Sequence, residues 1–408
     1  MNPIKVLSLF SGIGAFEVAL KNENIPFELI NYCEIDKYAS KSYCAIHEVD
    51  ESKNLIDVCK VDGTKFTDID LLTHGSPCQA FSNAGLRKGG DEGSGTTSSL
   101  MWETVRIISE SKPRYVLWEQ VPAVLQRNNI HNFRKYILKL SEFGYNTLYK
   151  VLNATEFGLP QNRKRVFVVS IRKDIDDDTF IFPSGFKLEK SLKNILEDNV
   201  SKKYFLSKKF VEFLFEHKEK HDKKGNGFGF KITDENQFSK TITTAPGTRA
   251  TDTFLKVEQV GNIVEEKNFK NPHTGRVYSE NGLSPTLTTM QGGRLEPKIL
   301  CFNWQQSEGF KNKPMYDMSA TLSTQNNQAI IDNLIIRKLT PLECWRLQGF
   351  SDSDFYKVKS IGTSNSQLYK QAGNSIAVPI LQHIFRNLFK SDKVIKIRNI
   401  VLEQQELF

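Results

Sequence analysis

The 408 residues carry 39% hydrophobic and 25% charged side chains, enough for a substantial core and too long for one small domain. No run of about 18 apolar residues occurs and the six cysteines are not closely paired, which argues against a membrane span and a disulfide framework. The net charge of +8 permits a polyanionic partner without demanding one.

Residues 4–10 read as an apolar strand, entered without a leader pattern, so a cytoplasmic location is expected. A turn bearing Gly12 and Gly14 follows, then an amphipathic helix over 15–22. Residues 29–34, 70–74 and 115–119 are further strands, with a helix over 100–109 between the last two. Residues 165–171 close the series. Strands alternating with helices predict an α/β fold with a doubly wound, mainly parallel sheet. Beyond about residue 180 the chain turns richer in Lys, Asn, Gly and Thr. Lys202, Lys203, Lys208, Lys209, Lys218, Lys220, Lys223 and Lys224 crowd one stretch, as a phosphate-facing surface would. Residues 239–244, 284–289 and 319–324 repeat a threonine-rich pattern at unequal spacing, which argues for β-segments and against a solenoid. From about Arg337 the α/β character returns. Thr340, Pro341 and Glu343 mark a helix start, and 375–388 form a second amphipathic helix. The expected division is 1–180, an insertion over 181–335, and 336–408 completing the first domain.

Four places carry chemistry. In the turn Phe10-Ser11-Gly12-Ile13-Gly14, glycines allow close approach of a ligand to backbone, and the helix start offers free amides. Glu34 ends the next strand, where a carboxylate is placed for ribose hydroxyls, and Asp62-Gly63 is placed for an adenine amino group. Glu17 stands where a dinucleotide fingerprint has its third glycine, and a carboxylate there would repel a pyrophosphate. A nucleoside lacking phosphates, such as S-adenosylmethionine, fits better. Cys78, in Pro77-Cys78-Gln79, follows a strand where open α/β sheets place their chemistry. It is either a nucleophile or a small buried hydrophobe. Residues 85–99, rich in Gly, Ser and Thr, read as a mobile lid or a plain loop. Glu119 ends a strand expected beside the one before Cys78 and suits an acid–base partner. Arg163 and Arg165, two apart on an extended segment, point the same way toward one anionic or carbonyl-rich ligand, or form a solvated turn.

In this order, with Ala372-Gly373-Asn374-Ser375 late in the chain, these motifs resemble the DNA (cytosine-5)-methyltransferase family of bacterial and phage restriction-modification systems. The resemblance spans all but the central insertion. It implies a Rossmann-like, S-adenosylmethionine-dependent methyltransferase fold with a smaller inserted target-recognition domain. It makes Cys78 the nucleophile toward cytosine carbon 6, Glu119 the group engaging ring nitrogen 3, and Arg165, supported by Arg163, the contact to the ring carbonyl. Donor contacts would fall on Phe10, Ser11, Gly12, Gly14, Glu34, Ile35, Asp62, Gly63, Pro77, Asn374 and Ser375. DNA contacts would come from Gln79 and Ser82 and from loops carrying Gln291, Gly292, Gly293, Arg294, Gln325 and Asn326. The target base would be flipped out of the duplex. Two departures from the family pattern are Gln120, where Asn is common, and Ala15, where a third glycine is common.

No metal is expected, because no cysteine pair has zinc-ligand spacing and the seven histidines are scattered. The expected partner is double-stranded DNA, met by a monomer, with a cognate restriction endonuclease acting separately if there is one. The tail residues Gln404, Leu407 and Phe408 suit either a bacterial sliding clamp or packing on the domain itself, the more economical reading. Three rival functions are methylation of RNA cytosine, a nicotinamide oxidoreductase built on the glycine turn, and a DNA-binding protein without catalysis. The second leaves Cys78, Glu119 and Arg165 unexplained, and intact Cys78 and Glu119 oppose the third.

Overall fold

The computed structural model describes residues 2–77, 90–187, 192–197, 200–201 and 340–390, with four further strands between them. The chain divides into two compact units, Met1–Glu189 with Trp345–Phe408, and Lys190–Cys344.

In the first unit the strands are β1 (Ile4–Leu9), β2 (Phe27–Cys33), β3 (Leu71–His74), β4 (Tyr115–Gln120), β5 (Tyr145–Asn153) and β6 (Lys164–Arg172). They form one sheet in the order β2-β1-β3-β4-β6-β5. β1 pairs in parallel with β2 and β3, and β3 with β4. β6 runs antiparallel to both β4 and β5. The sheet is therefore mixed, with β6 alone reversed. The helices α1 (Ala15–Asn22), α2 (Lys37–His47), α3 (Met101–Ser111) and α4 (Ile130–Glu142) join the strands.

Alternation along each strand sends side chains to two faces. Leu7 and Leu9 of β1 join a core with Ile107 and Ile108 of α3 and Phe133 and Tyr136 of α4. Ser8, between them, lies toward Glu17 of α1 on the other face. After α5 (Pro341–Gln348) come α6 (Asp352–Ser360), α7 (Asn365–Asn374) and α8 (Val378–Phe389). These three tie onto α1 and α2 by side-chain links. Arg386 pairs with Glu23 at 2.7 Å, Lys370 with Asp36 at 2.6 Å and Lys357 with Glu48 at 2.6 Å. Asn387 also holds the carbonyl of Ile181 at 2.9 Å, which keeps the chain with the first unit past residue 180.

In the second unit, β7 (Gln259–Asn262), β8 (Arg276–Ser279), β9 (Lys298–Phe302) and β10 (Leu334–Lys338) form a sheet in the order β10-β9-β8-β7. Only β8 and β9 pair in parallel. The threonine-rich repeats lie outside the described residues. No described helix is long and apolar enough to cross a membrane.

The structure removes the repulsion argued for Glu17. Its side chain is fully buried, so it presents no carboxyl surface to a ligand at the turn. Burial raises its pKa above the ordinary 4.5, and the nearby Ser8 and Tyr43 hydroxyls offset that only in part. Neither carboxyl oxygen makes a hydrogen bond of normal geometry. The folded chain therefore holds a proton that the unfolded chain releases, and stability falls as pH rises from about 4.5. Glu17→Gln should remove that slope. Urea midpoints for the two proteins should converge near pH 4.5, with the variant the more stable at pH 8. An equal gap at both pH values would refute a neutral buried Glu17.

Candidate active site

The turn after β1 is built on left-handed backbone. Phe10, Gly12 and Gly14 have φ of 52°, 57° and 82°. The two glycines are needed for different reasons. A Cβ on Gly12 would meet nothing within 4 Å, so open space lies in front of it and the backbone conformation alone demands glycine. A Cβ on Gly14 would stand 1.9 Å from Nε2 of His47. Gly14 thus admits the His47 ring. Burial pulls the pKa of that ring down to about 3. Nε2 of the neutral ring donates to the carbonyl of Ile13 at 3.2 Å. The Ser11 hydroxyl is also spent internally. It donates to the carbonyl of Ser8 at 2.9 Å and accepts from the amide of Cys33 at 3.3 Å, buckling β1 to β2.

Glu34 follows β2 directly and closes this corner. Its Oε2 accepts from the Gly12 amide at 2.8 Å and its Oε1 from the Asp36 amide at 2.7 Å. Burial raises its pKa, and these two amides work in the opposite direction. Each oxygen keeps a lone pair for a further donor. Ile35 beside it is 74% exposed, an uncovered apolar side chain at the mouth of the corner. Asn54, which sequence reasoning missed, fastens the backbone of Glu34 on both sides. Its Oδ1 accepts from the Glu34 amide at 3.0 Å and its Nδ2 donates to the Glu34 carbonyl at 2.9 Å.

Asp62 and Gly63 begin the next turn. The Asp62 carboxylate accepts from the Thr64 amide and hydroxyl at 3.2 and 2.5 Å. The Thr64 hydroxyl holds the Asp62 pKa below its usual value. The Gly63 amide is bound to Glu110 of α3 at 2.8 Å. Asn374, at the end of α7, is exposed, while Ser375 after it is buried.

The second cluster lies at the carboxyl end of β4. Glu119 and Arg165 meet at 2.9 Å between Oε1 and Nε, with side chains only 12% and 13% exposed. Their approach follows from the reversed strand. Antiparallel pairing sets Glu119 opposite Phe167 and Gln120 opposite Val166, so the start of β6 lies at the end of β4. Gly75 borders this pair: a Cβ there would stand 3.8 Å from Oε2 of Glu119.

Arg163 does not join Arg165. It is 2% exposed, and its Nη2 donates to the carbonyls of Gly373 and Ser375 at 3.2 and 2.6 Å. The Arg163 guanidinium is thus engaged at the end of α7, whereas that of Arg165 meets Glu119. Arg163 fastens the backbone on either side of Asn374.

Trp118 and Gln120, on the face of β4 opposite Glu119, grip Ser76 from two sides. The Trp118 indole donates to the Ser76 hydroxyl at 3.2 Å, and the Gln120 amide to its carbonyl at 3.1 Å. Gln120 also accepts from the Val121 amide at 2.8 Å. The residue standing in place of the usual Asn thus uses both its nitrogen and its oxygen, and it holds Ser76, one residue before Pro77 and two before Cys78. Beneath it, His74 stacks on Trp118 and bonds the Tyr136 hydroxyl at 3.0 Å. Burial pulls the His74 pKa down to about 3, so it is a neutral support.

Cys78, Gln79, Ser82, Gln291, Gly292, Gly293, Arg294, Gln325, Asn326, Gln404, Leu407 and Phe408 lie outside the described residues. Of the stretch 85–99, residues 90–99 are described, and their first part is tied to the neighbouring helices. The Trp102 indole donates to the carbonyl of Gly90 at 2.8 Å, and Asp91 is held by His131 and Asn132 at 2.7 and 2.9 Å. Glu92 pairs with Lys135 at 2.5 Å. Side chains from α3 and α4 pin residues 90–92 despite their loop-like composition. No group of three or more His, Cys, Asp or Glu among the described residues is arranged to hold a metal.

Comparison with known proteins gives a consistent answer. Residues 4–390 match the C-5 cytosine-specific DNA methylase family. The chain is 35% identical to the orphan methyltransferase M.SPRI of Bacillus phage SPR, over 95% of this chain and 98% of the relative. It is 34% identical to the orphan methyltransferase M.Rho11sI of Bacillus phage rho11s, with the same coverage. In fold it is similar to the methyltransferase EhMeth of Entamoeba histolytica, with a TM-score of 0.62 at 14% identity, over 95% of this chain and 98% of that one.

Proposed function

We propose a reaction for this chain, which belongs to the C-5 cytosine-specific DNA methylase family and is a DNA methyltransferase: it methylates cytosine in duplex DNA through a covalent adduct with Cys78. The observation that carries the reading is the Glu119–Arg165 pair beside Gly75, three residues ahead of Cys78. A carboxyl group and a guanidinium side by side match the ring nitrogen and carbonyl on one edge of cytosine.

The Gly12–Glu34 corner fits S-adenosylmethionine as methyl donor. It offers a carboxylate with spare acceptor capacity for ribose hydroxyls, open space beside the Gly12 Cα, and exposed Ile35 for a purine. Bound there, the donor supplies an electrophilic methyl group. The remaining work belongs to the protein. The Cys78 thiolate adds to carbon 6, and Glu119 engages nitrogen 3 so that negative charge does not build on the ring. Arg165 holds the ring carbonyl and keeps the Glu119 carboxyl oriented. Carbon 5, now enamine-like, becomes the nucleophile for the methyl. Loss of the carbon-5 proton to a base then expels the thiolate and restores the ring. These atoms are out of reach inside a duplex, so the cytosine must be turned out of the stack.

We assign target recognition to the second unit, through Gln291, Gly292, Gly293, Arg294, Gln325 and Asn326, aided by Gln79 and Ser82 near the nucleophile. Two phage relatives are named orphan methyltransferases, and we extend that reading to this chain, which would act without a paired endonuclease.

Tritiated S-adenosylmethionine should label duplex DNA in preference to RNA; label on RNA alone would overturn the substrate. Cys78→Ser should lower the rate by at least about 10³-fold, the scale of a lost covalent nucleophile. It should also abolish the detergent-stable complex with duplex containing 5-fluorocytosine, whose carbon 5 cannot release a proton. A complex that survives Cys78→Ser would exclude this cysteine. Glu119→Gln should lower the single-turnover rate by about 10²–10⁴-fold, the range for a lost acid–base group, with little change in DNA affinity.

A further inference from the structure

We propose that Asn54 is the positioning residue of the donor site, its single side chain making four hydrogen bonds of which two clamp the backbone of Glu34; this rests on the reading of Glu34 as the ribose ligand. Oδ1 accepts from the amides of Glu34 at 3.0 Å and Ile56 at 2.8 Å. Nδ2 donates to the Glu34 carbonyl at 2.9 Å and the Ser40 hydroxyl at 3.0 Å. The amide is thereby used on every hydrogen it has, and its oxygen takes two donors. Flipping it would point its NH₂ at two N–H groups, so the partners fix its orientation.

Asn54 reaches this place because its own backbone extends the sheet. Residues 53–55 run along the outer edge of β2, with Asn54 bridged in parallel to Tyr32. The Leu55 amide donates to the Tyr32 carbonyl at 2.7 Å, and the Asn31 side chain donates to the Lys53 carbonyl at 2.9 Å. The strap covers an edge that would otherwise be open. Ile56, one residue on, has φ of 62° and is 58% exposed. A β-branched residue in the left-handed region is an outlier, and outliers of this kind persist where the surroundings over-determine them. Here Asn54 holds the Ile56 amide directly.

Glu34 lies just past the last residue of β2, where the ladder of β1 no longer guides it. Asn54 replaces that guidance. With the Glu34 amide and carbonyl both clamped, the carboxylate is left between the amides of Gly12 and Asp36 with its direction already set. Ser40, on α2, anchors the far side of Asn54 and itself bonds the Tyr32 hydroxyl at 2.9 Å. A preset ligand shows itself in affinity, since binding then costs less ordering. It need not show itself in the chemical step.

The test compares wild type, Asn54→Ala, Asn54→Asp and Glu34→Gln in the full chain. The readouts are calorimetric affinity for S-adenosylhomocysteine, affinity for duplex DNA, kcat and KM for the donor, and thermal midpoint. Asn54→Ala should weaken S-adenosylhomocysteine at least tenfold and raise the donor KM equally, with kcat at saturating donor and DNA affinity each within twofold. Asn54→Asp keeps the acceptor and loses both donors, and should fall between Ala and wild type. If Glu34→Gln weakens binding while Asn54→Ala leaves it within twofold, the proposal for Asn54 fails alone. If Glu34→Gln leaves affinity unchanged, the donor-site reading fails beneath it. If both Asn54 variants lose donor affinity, DNA affinity and kcat together with a lowered thermal midpoint, Asn54 is merely structural and the proposal is overturned.

Discussion

The reversal of β6 is the constraint on which the site depends. In a sheet whose strands all ran one way, the start of β6 and the end of β4 would lie at opposite edges. Antiparallel pairing brings them to the same edge, and Arg165 meets Glu119 at 2.9 Å as a consequence. The pair is mostly desolvated, with 12% and 13% of its side-chain surface exposed. An enclosed polar side chain without a partner is costly, and at this edge each of the two supplies the other's contact. The same edge receives β3 in parallel with β4, which brings Gly75 alongside Glu119 and carries the chain on toward Cys78.

Around that edge, neutral groups do the holding and charged groups face the reaction. β4 separates the two tasks by strand alternation. Glu119 points to the site, while Trp118 and Gln120 turn to the other face and clamp Ser76. His74, stripped of charge by burial, stacks under Trp118 and closes the support through Tyr136. Arg163 is the exception, a buried cation spent on carbonyls. It fixes the end of α7, so that Asn374, far along the chain, is held in the first unit near the motif that begins β6. One guanidinium nitrogen, Nη2, reaches both carbonyls with its two hydrogens.

Much of this was legible in the sequence. The apolar runs gave β1, β3, β4 and β6 within a residue or two, and Glu34 and Glu119 fell at strand ends as expected. What escaped has physical causes. β5 alternates weakly, since it is an edge strand whose Lys150 and Val151 are exposed. The direction of β6 leaves no mark on its composition. Gly14 reads as a ligand contact in one dimension, yet its constraint is the ring of His47, which arrives from α2. Residues 90–92 read as loop because their anchors, Trp102, His131, Asn132 and Lys135, lie on later helices. Asn54 sits in a stretch without periodicity, and nothing but its contacts distinguishes it from a turn residue.

The donor corner follows a different logic from the base site. Its walls are backbone: left-handed Phe10 and Gly12, the amides that receive Glu34, and the strap along β2. Behind it, burial pushes the Glu17 pKa up and pulls that of His47 down to about 3. At the corner itself stand Glu34 and the Asp36–Lys370 pair beside it. A phosphate would meet a carboxylate here, whereas ribose hydroxyls meet an acceptor. The preference for a nucleoside without phosphates thus survives the loss of the Glu17 argument, and it moves to Glu34. A single carboxylate can both select the hydroxyls and reject the phosphate, provided its direction is fixed before the ligand arrives.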